Sequence, residues 1–384
     1  MRAGPSLPRR PFLLAPLALA ACSQARPAAD APATDAPAAG DVLARRARAL
    51  LAGDLDAAGA GYASADRDGL RRDDARAVAA GLDDWAVEGL QVDGARVRGV
   101  LRERVAGEGR PVAGLFRAGW DGSLHRGGGT PQPWELGDVT AQRAIGGVVL
   151  HVGGTGDVGR QAAADLADAT ARVDAAWGTD WPRGTAVVVV PTAADVSRLA
   201  GGPAADVDAV AVGLDADLAD GRPAGVRVVL STERFAALSP LGRTVTLTHE
   251  LVHVATRATA RAPGAVVPRW LTEGYADHVA RRDRPVAASA LAAALLAAPG
   301  EPQVPADADF TDPARVQVAY AAGWTLVTSA ARVAGTPAVT AFVRATWTGT
   351  GVERACRQSL GRSLADVVRT WRADVASDLV GWGP

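Results

Sequence analysis

A chain of 384 residues has room for about two domains. Its apolar share of 48% can fill sizeable cores, and its formal charge of −1 argues against a polyanionic partner such as nucleic acid. All 41 basic residues are Arg, a bias of composition from which no chemistry follows.

The first residues read as an export signal. Arg2, Arg9 and Arg10 form a positive stretch, residues 11–21 are a short apolar run, and Cys22 follows. That run is too short to span a bilayer. Its end, Leu19-Ala20-Ala21-Cys22, resembles the bacterial lipobox. The resemblance implies a lipoprotein signal peptide over 1–22, lipid on Cys22, and anchoring to the outer face of the cytoplasmic membrane. Arg9-Arg10-Pro11-Phe12-Leu13 also resembles a twin-arginine export signal. An ordinary signal peptide that ends near a cysteine is the plainer alternative. With Cys22 lipidated, Cys356 has no partner for an internal disulfide and is expected to be a buried, inert thiol.

Residues 23–40, rich in Ala, Pro and Asp, read as a flexible linker. A helical pattern covers 42–51. From Trp85 the period becomes two, and stretches 85–92 and 95–105 flank Asp93-Gly94, a strong signal for a two-residue hairpin. Arg96, Arg98, Arg102 and Arg104 point one way from the second strand, and Val97, Leu101 and Val105 the other. Further strands are expected over 111–120 and 134–142. The result is a small α+β domain over 41–145, with no residues that look catalytic.

A second unit, 146–384, starts with strands at 148–152, 185–190, 210–214 and 226–231, with helices at 158–177 and 193–199 between them. From Pro240 the pattern is almost wholly helical. Gly154-Thr155-Gly156-Asp157-Val158-Gly159 matches a dinucleotide fingerprint. Such a site also wants an acid closing the next strand, and that strand ends in Val190-Pro191-Thr192. The motif is read as a tight strand-to-helix turn, and no dinucleotide is expected.

The chemistry is concentrated later. Ser239-Pro240 signals a helix start, and the helix carries Thr248-His249-Glu250-Leu251-Val252-His253. Residues four apart share a helix face, so His249 and His253 can reach one ion. Glu250 stands about a hundred degrees round from His249, where a general base would sit. Twenty residues past His253, the segment Trp270-Leu271-Thr272-Glu273-Gly274-Tyr275-Ala276-Asp277 opens after Pro268. Glu273 and Asp277 again share a face. One can ligate the metal and the other can accept a ring N–H from a ligating His.

The pair HELVH and WLTEGYAD resembles the gluzincin metallopeptidases, the group of thermolysin and the membrane-alanyl-type aminopeptidases. The resemblance implies a zincin-like, two-lobed catalytic domain behind the small α+β domain, with one zinc ion between the lobes. It matches His249, His253 and Glu273 to the zinc ligands, Glu250 to the general base for a zinc-bound water, and Asp277 to the carboxylate behind a ligand. The substrate it implies is a peptide or protein. A metzincin reading fails, because Thr256 and Thr259 stand where that branch has Gly and His. The Gly-x-Met-Glu-Asn segment of the aminopeptidase branch is absent, which favours endopeptidase action or a narrower hydrolysis.

Gluzincins also supply a Tyr or His that steadies the tetrahedral intermediate. Tyr320, at the start of a later helix, is the candidate here, against a plain core role. The strand at 226–231 is the candidate cleft edge. His125, His151 and His278 are expected to have local structural roles. Two rival readings stand beside the enzyme. One is a catalytically silent zinc-binding lipoprotein that holds a partner, and the other gives the defining ligand to the N-terminal domain.

Overall fold

The structure, a computed structural model, describes residues 36–382 apart from 205–206, 214–217, 220, 222, 260–261 and 263–264. The expected signal peptide and Cys22 lie outside the described residues. Helix α1 (Ala36–Leu51) starts earlier than the pattern suggested, inside the expected linker, and turns Leu43 and Leu50 inward. After α2 (Leu55–Gly59) and α3 (Arg67–Ala79) come strands β1 (Leu82–Asp93), β2 (Arg96–Val105), β3 (Val112–Trp120) and β4 (Leu124–His125). They form one antiparallel sheet in sequence order. The β1–β2 turn falls one residue later than predicted. Asp93 pairs with Arg96, and Gly94 at φ 54° is the first central residue, a place where glycine is the natural choice.

The strand expected over 134–142 is corrected. Pro133 opens a single helical turn, α4 (Pro133–Leu136), and β5 (Val139–Ala144) follows it. β5 pairs with β6 (Gly147–Val152), so the expected boundary near residue 145 lies in the turn between them. Helix α5 (Gly156–Trp177), β7 (Thr185–Val190), α6 (Ala193–Ala200), β8 (Ala209–Val212) and β9 (Arg227–Ser231) complete this part. The second sheet has the order β5-β6-β7-β9-β8, with β6, β7 and β9 parallel and an antiparallel strand at each edge. This corrects the cleft-edge expectation too: β9 is interior, and β8 forms that edge.

Unbroken Val runs such as Val187 to Val190 suit strands buried on both faces. Val149, Val187, Val189, Val228 and Leu230 face α5 and the later helices. Val148, Leu150, Val188 and Val229 share a core with Leu43, Trp85, Val97 and Val105. The chain then continues as α7 (Thr232–Phe235), α8 (Pro240–Thr259), α9 (Arg269–Arg281), α10 (Ala288–Leu291), α11 (Ala293–Leu296), α12 (Val316–Ala334), α13 (Thr336–Trp347), α14 (Val352–Leu360) and α15 (Leu364–Ala376). A 3-10 turn covers Asp307–Phe310. Among the described residues no helix is long and apolar enough to cross a membrane. The fold is a mixed α+β one with an antiparallel sheet and a helical part.

A buried ion cluster joins the two sheets. Arg227, at the start of β9, holds Glu108 with two bonds of 2.8 and 3.0 Å and reaches Glu103 on β2 at 2.7 Å. All three side chains are buried. One guanidinium faces two carboxylates here, and Glu108 already satisfies it bidentately. Burial therefore pushes Glu103 up to about 7, against the pull of Arg227 and helped by the nearby charges of Glu108 and Glu135. In the unfolded chain the same group titrates near 4.5. As pH rises between those values, the folded state keeps a proton that the unfolded state has lost. Stability from this group is thus present at low pH and is lost as pH rises through about 7. Glu103→Gln mimics the neutral form, so it should flatten this part of the stability–pH profile and cost little above it. Urea midpoints measured across the window check this, and an unchanged slope in the variant would place the proton elsewhere.

Candidate metal centre

Helix α8 starts as its sequence asks, with Ser239 Oγ accepting from the Gly242 N–H at 3.1 Å. Leu247, Leu251 and Val252 bury its other faces, which leaves His249 and His253 turned toward α9. There Glu273 meets them. His249 Nε2 and His253 Nε2 lie 3.1 Å apart, and Glu273 Oε2 stands 3.3 Å from the first and 3.5 Å from the second. Donors about 2.0–2.1 Å from a tetrahedral zinc sit roughly 3.3–3.4 Å from one another. The triangle has that size.

The fit of a cation is also electrostatic. Glu273 Oε2 is buried without a hydrogen-bond partner, and Glu250, Glu273 and Asp277 place three buried carboxylates around two imidazoles. Although burial opposes its charge, the imidazoles of His253 and His249 hold Glu273 well below the usual carboxylate range. Burial likewise disfavours a charged His249, yet Asp277 and Glu273 raise it to about 10. Burial lowers His253. Two nitrogens and one carboxylate oxygen, drawn together in a negative pocket, form a donor set that suits zinc.

Behind the ligands, Asp277 Oδ1 lies 3.1 Å from His249 Nδ1, which fixes the ring so that Nε2 faces the cluster. Arg281 braces the same carboxylate at 3.2 Å, its guanidinium 5.4 Å from the Trp324 ring. Glu250 is buried, outside the ligand triangle, and burial raises it to about 7 while His249 pulls the other way. That is a suitable range for a base working near neutrality.

Tyr320 stands on α12, which a glycine contact holds against α9. A Cβ on Gly274 would fall 2.3 Å from Gly323 O, so α9 and α12 touch backbone to backbone there. Tyr320, one turn before Gly323, is buried against Phe310, with ring centroids 5.1 Å apart. Burial first, then the charge of Glu273, pushes its phenol well above the ordinary value, with Asp277 and Glu250 adding to the effect.

The remaining histidines sit elsewhere. His278 lies between the Thr328 and Thr336 hydroxyls and is lowered to about 4 by burial. His125 pairs with Asp66 and Asp121. His151 meets Gln142 and packs on Gly159, where a Cβ would lie 2.0 Å from its Nδ1. The last glycine of the fingerprint-like turn therefore makes room for a ring. Cys356 is buried, with its thiol donating to Arg362 O, and burial raises it to about 11.

Sequence reasoning missed Ala211 and Arg257. β8 runs beside α8, with Arg257 Nη1 donating to Ala211 O at 3.3 Å.

No family model and no curated protein matches the chain. Among solved structures it is similar to a two-domain M1 zinc metallopeptidase mutant bound to L-arginine. That likeness has 14% identity and a TM-score of 0.36, over 75% of this chain and 59% of that one. It is also similar to an M1 zinc metallopeptidase mutant from Deinococcus radiodurans, with 15% identity and a TM-score of 0.36, over 76% of this chain and 62% of that one. The chain spans less than two thirds of the length of either. Likeness at that level carries no weight for the chemistry, which stands on the side chains themselves.

Proposed function

We propose that the chain is a zinc-dependent metallopeptidase of gluzincin type, with a two-lobed zincin-like domain whose metal lies between α8 and α9. The observation that carries this reading is the triangle of His249, His253 and Glu273 with Glu250 buried beside it. Zinc held there would act as a Lewis acid on a scissile carbonyl and would acidify water. Glu250 takes the water's proton and passes it to the leaving amine. Asp277 keeps His249 in the tautomer that presents Nε2, and Tyr320 donates to the oxyanion.

Metal analysis of the purified chain should find about one zinc per chain, and His249→Ala should lose it. Zinc retained in full by that variant would sink the ligand assignment. An unbiased peptide library then tests for cleavage. A silent zinc-binding protein would hold the metal and cut nothing, and a base beside the ligands argues against it.

We further propose that the chain is exported and lipid-anchored through Cys22 to the outer face of the cytoplasmic membrane, on the strength of its N-terminal sequence. Cys22→Ser should leave the membrane fraction or remain unprocessed. An unmodified mature N-terminus at another residue, found by mass spectrometry, would exclude the anchor.

A further inference from the structure

Both oxygens of Asp277 are engaged, and by different helices. Oδ1 lies 3.1 Å from His249 Nδ1 on α8, and Oδ2 accepts from Arg281 Nη2 on α9 at 3.2 Å. Asp277 and Arg281 are four residues apart, one turn along the same helix face. Such a pair on an open helix face contributes little. This one is buried, with 11% of the Arg281 side chain and 1% of the Asp277 side chain exposed. Taking a guanidinium out of water is costly unless it is paired. Among the described residues, Asp277 is the one hydrogen-bond partner of this guanidinium, and its Nε is buried with none.

A third helix supports the guanidinium. Its central carbon lies 5.4 Å from the centre of the Trp324 ring on α12, within the range of a cation–π contact. Trp324 follows Gly323, whose carbonyl oxygen would lie 2.3 Å from a Cβ on Gly274. The ring under Arg281 is thus next in sequence to the backbone contact that joins α12 to α9. A line of contacts runs from Trp324 through Arg281 and Asp277 to a candidate metal ligand on α8.

We propose that Arg281 is a positioning residue for the metal centre: it holds the Asp277 carboxylate turned to His249 Nδ1, and so keeps His249 Nε2 aimed at the ion. As a charge alone, Arg281 would repel zinc, and its removal would tighten binding. The geometry favours the opposite sign, because Arg281 takes the oxygen that His249 leaves open. Without Arg281, Oδ2 is buried and unbonded, and no other side-chain bond among the described residues fixes the carboxylate plane. Groups that orient a metal-bound imidazole typically matter 10–100-fold in metal affinity. Arg281 acts through Asp277 in this role and ligates nothing. The effect on affinity rests on the zinc reading, whereas the brace on the imidazole does not.

Zinc affinity of the full chain, measured by competition with a chromogenic chelator, tests this. Arg281→Met keeps an apolar stem by Trp324 and removes the charge. It should weaken zinc about tenfold, and Arg281→Lys, which can still donate to Oδ2, should recover most of that loss. Unchanged or tighter zinc in Arg281→Met overturns the role, and so does an equal loss in both variants. A double variant, Asp277→Asn with Arg281→Met, removes both charges of the pair and covers the case in which the single one does not fold. Its zinc affinity should equal that of Asp277→Asn alone, and a further loss overturns the route through Asp277. If the wild type takes up no zinc, the metal reading fails, and NMR of the metal-free chain still decides the brace. The His249 Nδ1–H signal should be protected from exchange with water in the wild type and in Arg281→Lys, and lost in Arg281→Met. Equal protection in all three overturns the brace.

Discussion

Glu250→Gln should keep its zinc and its fold and lose turnover by about 10²–10⁴-fold, the usual contribution of a positioned general base. The substitution is nearly isosteric, so packing against α8 and β8 barely changes. Glu250 Oε2 is buried with no hydrogen-bond partner, so the amide displaces none. What is lost is the ability to accept a proton. Glu250 is held outside the ligand triangle, so metal content should be unaffected. The variant thus separates binding of the metal from use of it. Turnover equal to wild type would reassign Glu250 to packing, and loss of zinc would make it a ligand.

The parts of this site that could be read from sequence are those whose geometry is local. His249, Glu250 and His253 lie within one helical stretch, and Glu273 and Asp277 within another, so helical periodicity alone places each set on a face. Which helices then touch is not local. Gly323 sits in plain view beside Tyr320, but its contact with Gly274 depends on how α9 and α12 cross. The edge of the sheet was hidden in the same way. Both β8 and β9 read as short Val-rich runs, and only pairing across the sheet shows which one is interior.

Glu103 marks the limit most clearly. It shares parity with Val97, Leu101 and Val105, so its inward direction was legible from the alternation of β2. Its partner Arg227 lies 124 residues away, beyond any pattern in the strand itself. The segment around Trp134 misled for a different reason. Its alternating apolar residues favour a strand, but Pro133 fits the first turn of a helix and lacks the N–H that a ladder needs.

Tyr320→Phe should lower turnover by about 10²–10³-fold, the typical loss when one donor to a developing oxyanion is removed. The ring stays, so its edge-to-face contact with Phe310, at 80° between planes, survives. Zinc content and thermal midpoint should therefore barely change. The phenol is suited to donate rather than to accept, since burial and the neighbouring carboxylates keep it protonated well above its ordinary range. Its helix is held against α9 by the glycine contact, and the charge of Glu273 is felt at its phenol. Changing that contact is a poor test, because a side chain at Gly274 would meet backbone at Gly323 and disturb the whole helix pair. Removing the single hydroxyl is the clean one. If stability falls while turnover per folded, zinc-loaded molecule holds, Tyr320 is a core residue, and the oxyanion must find its donor elsewhere in the cleft.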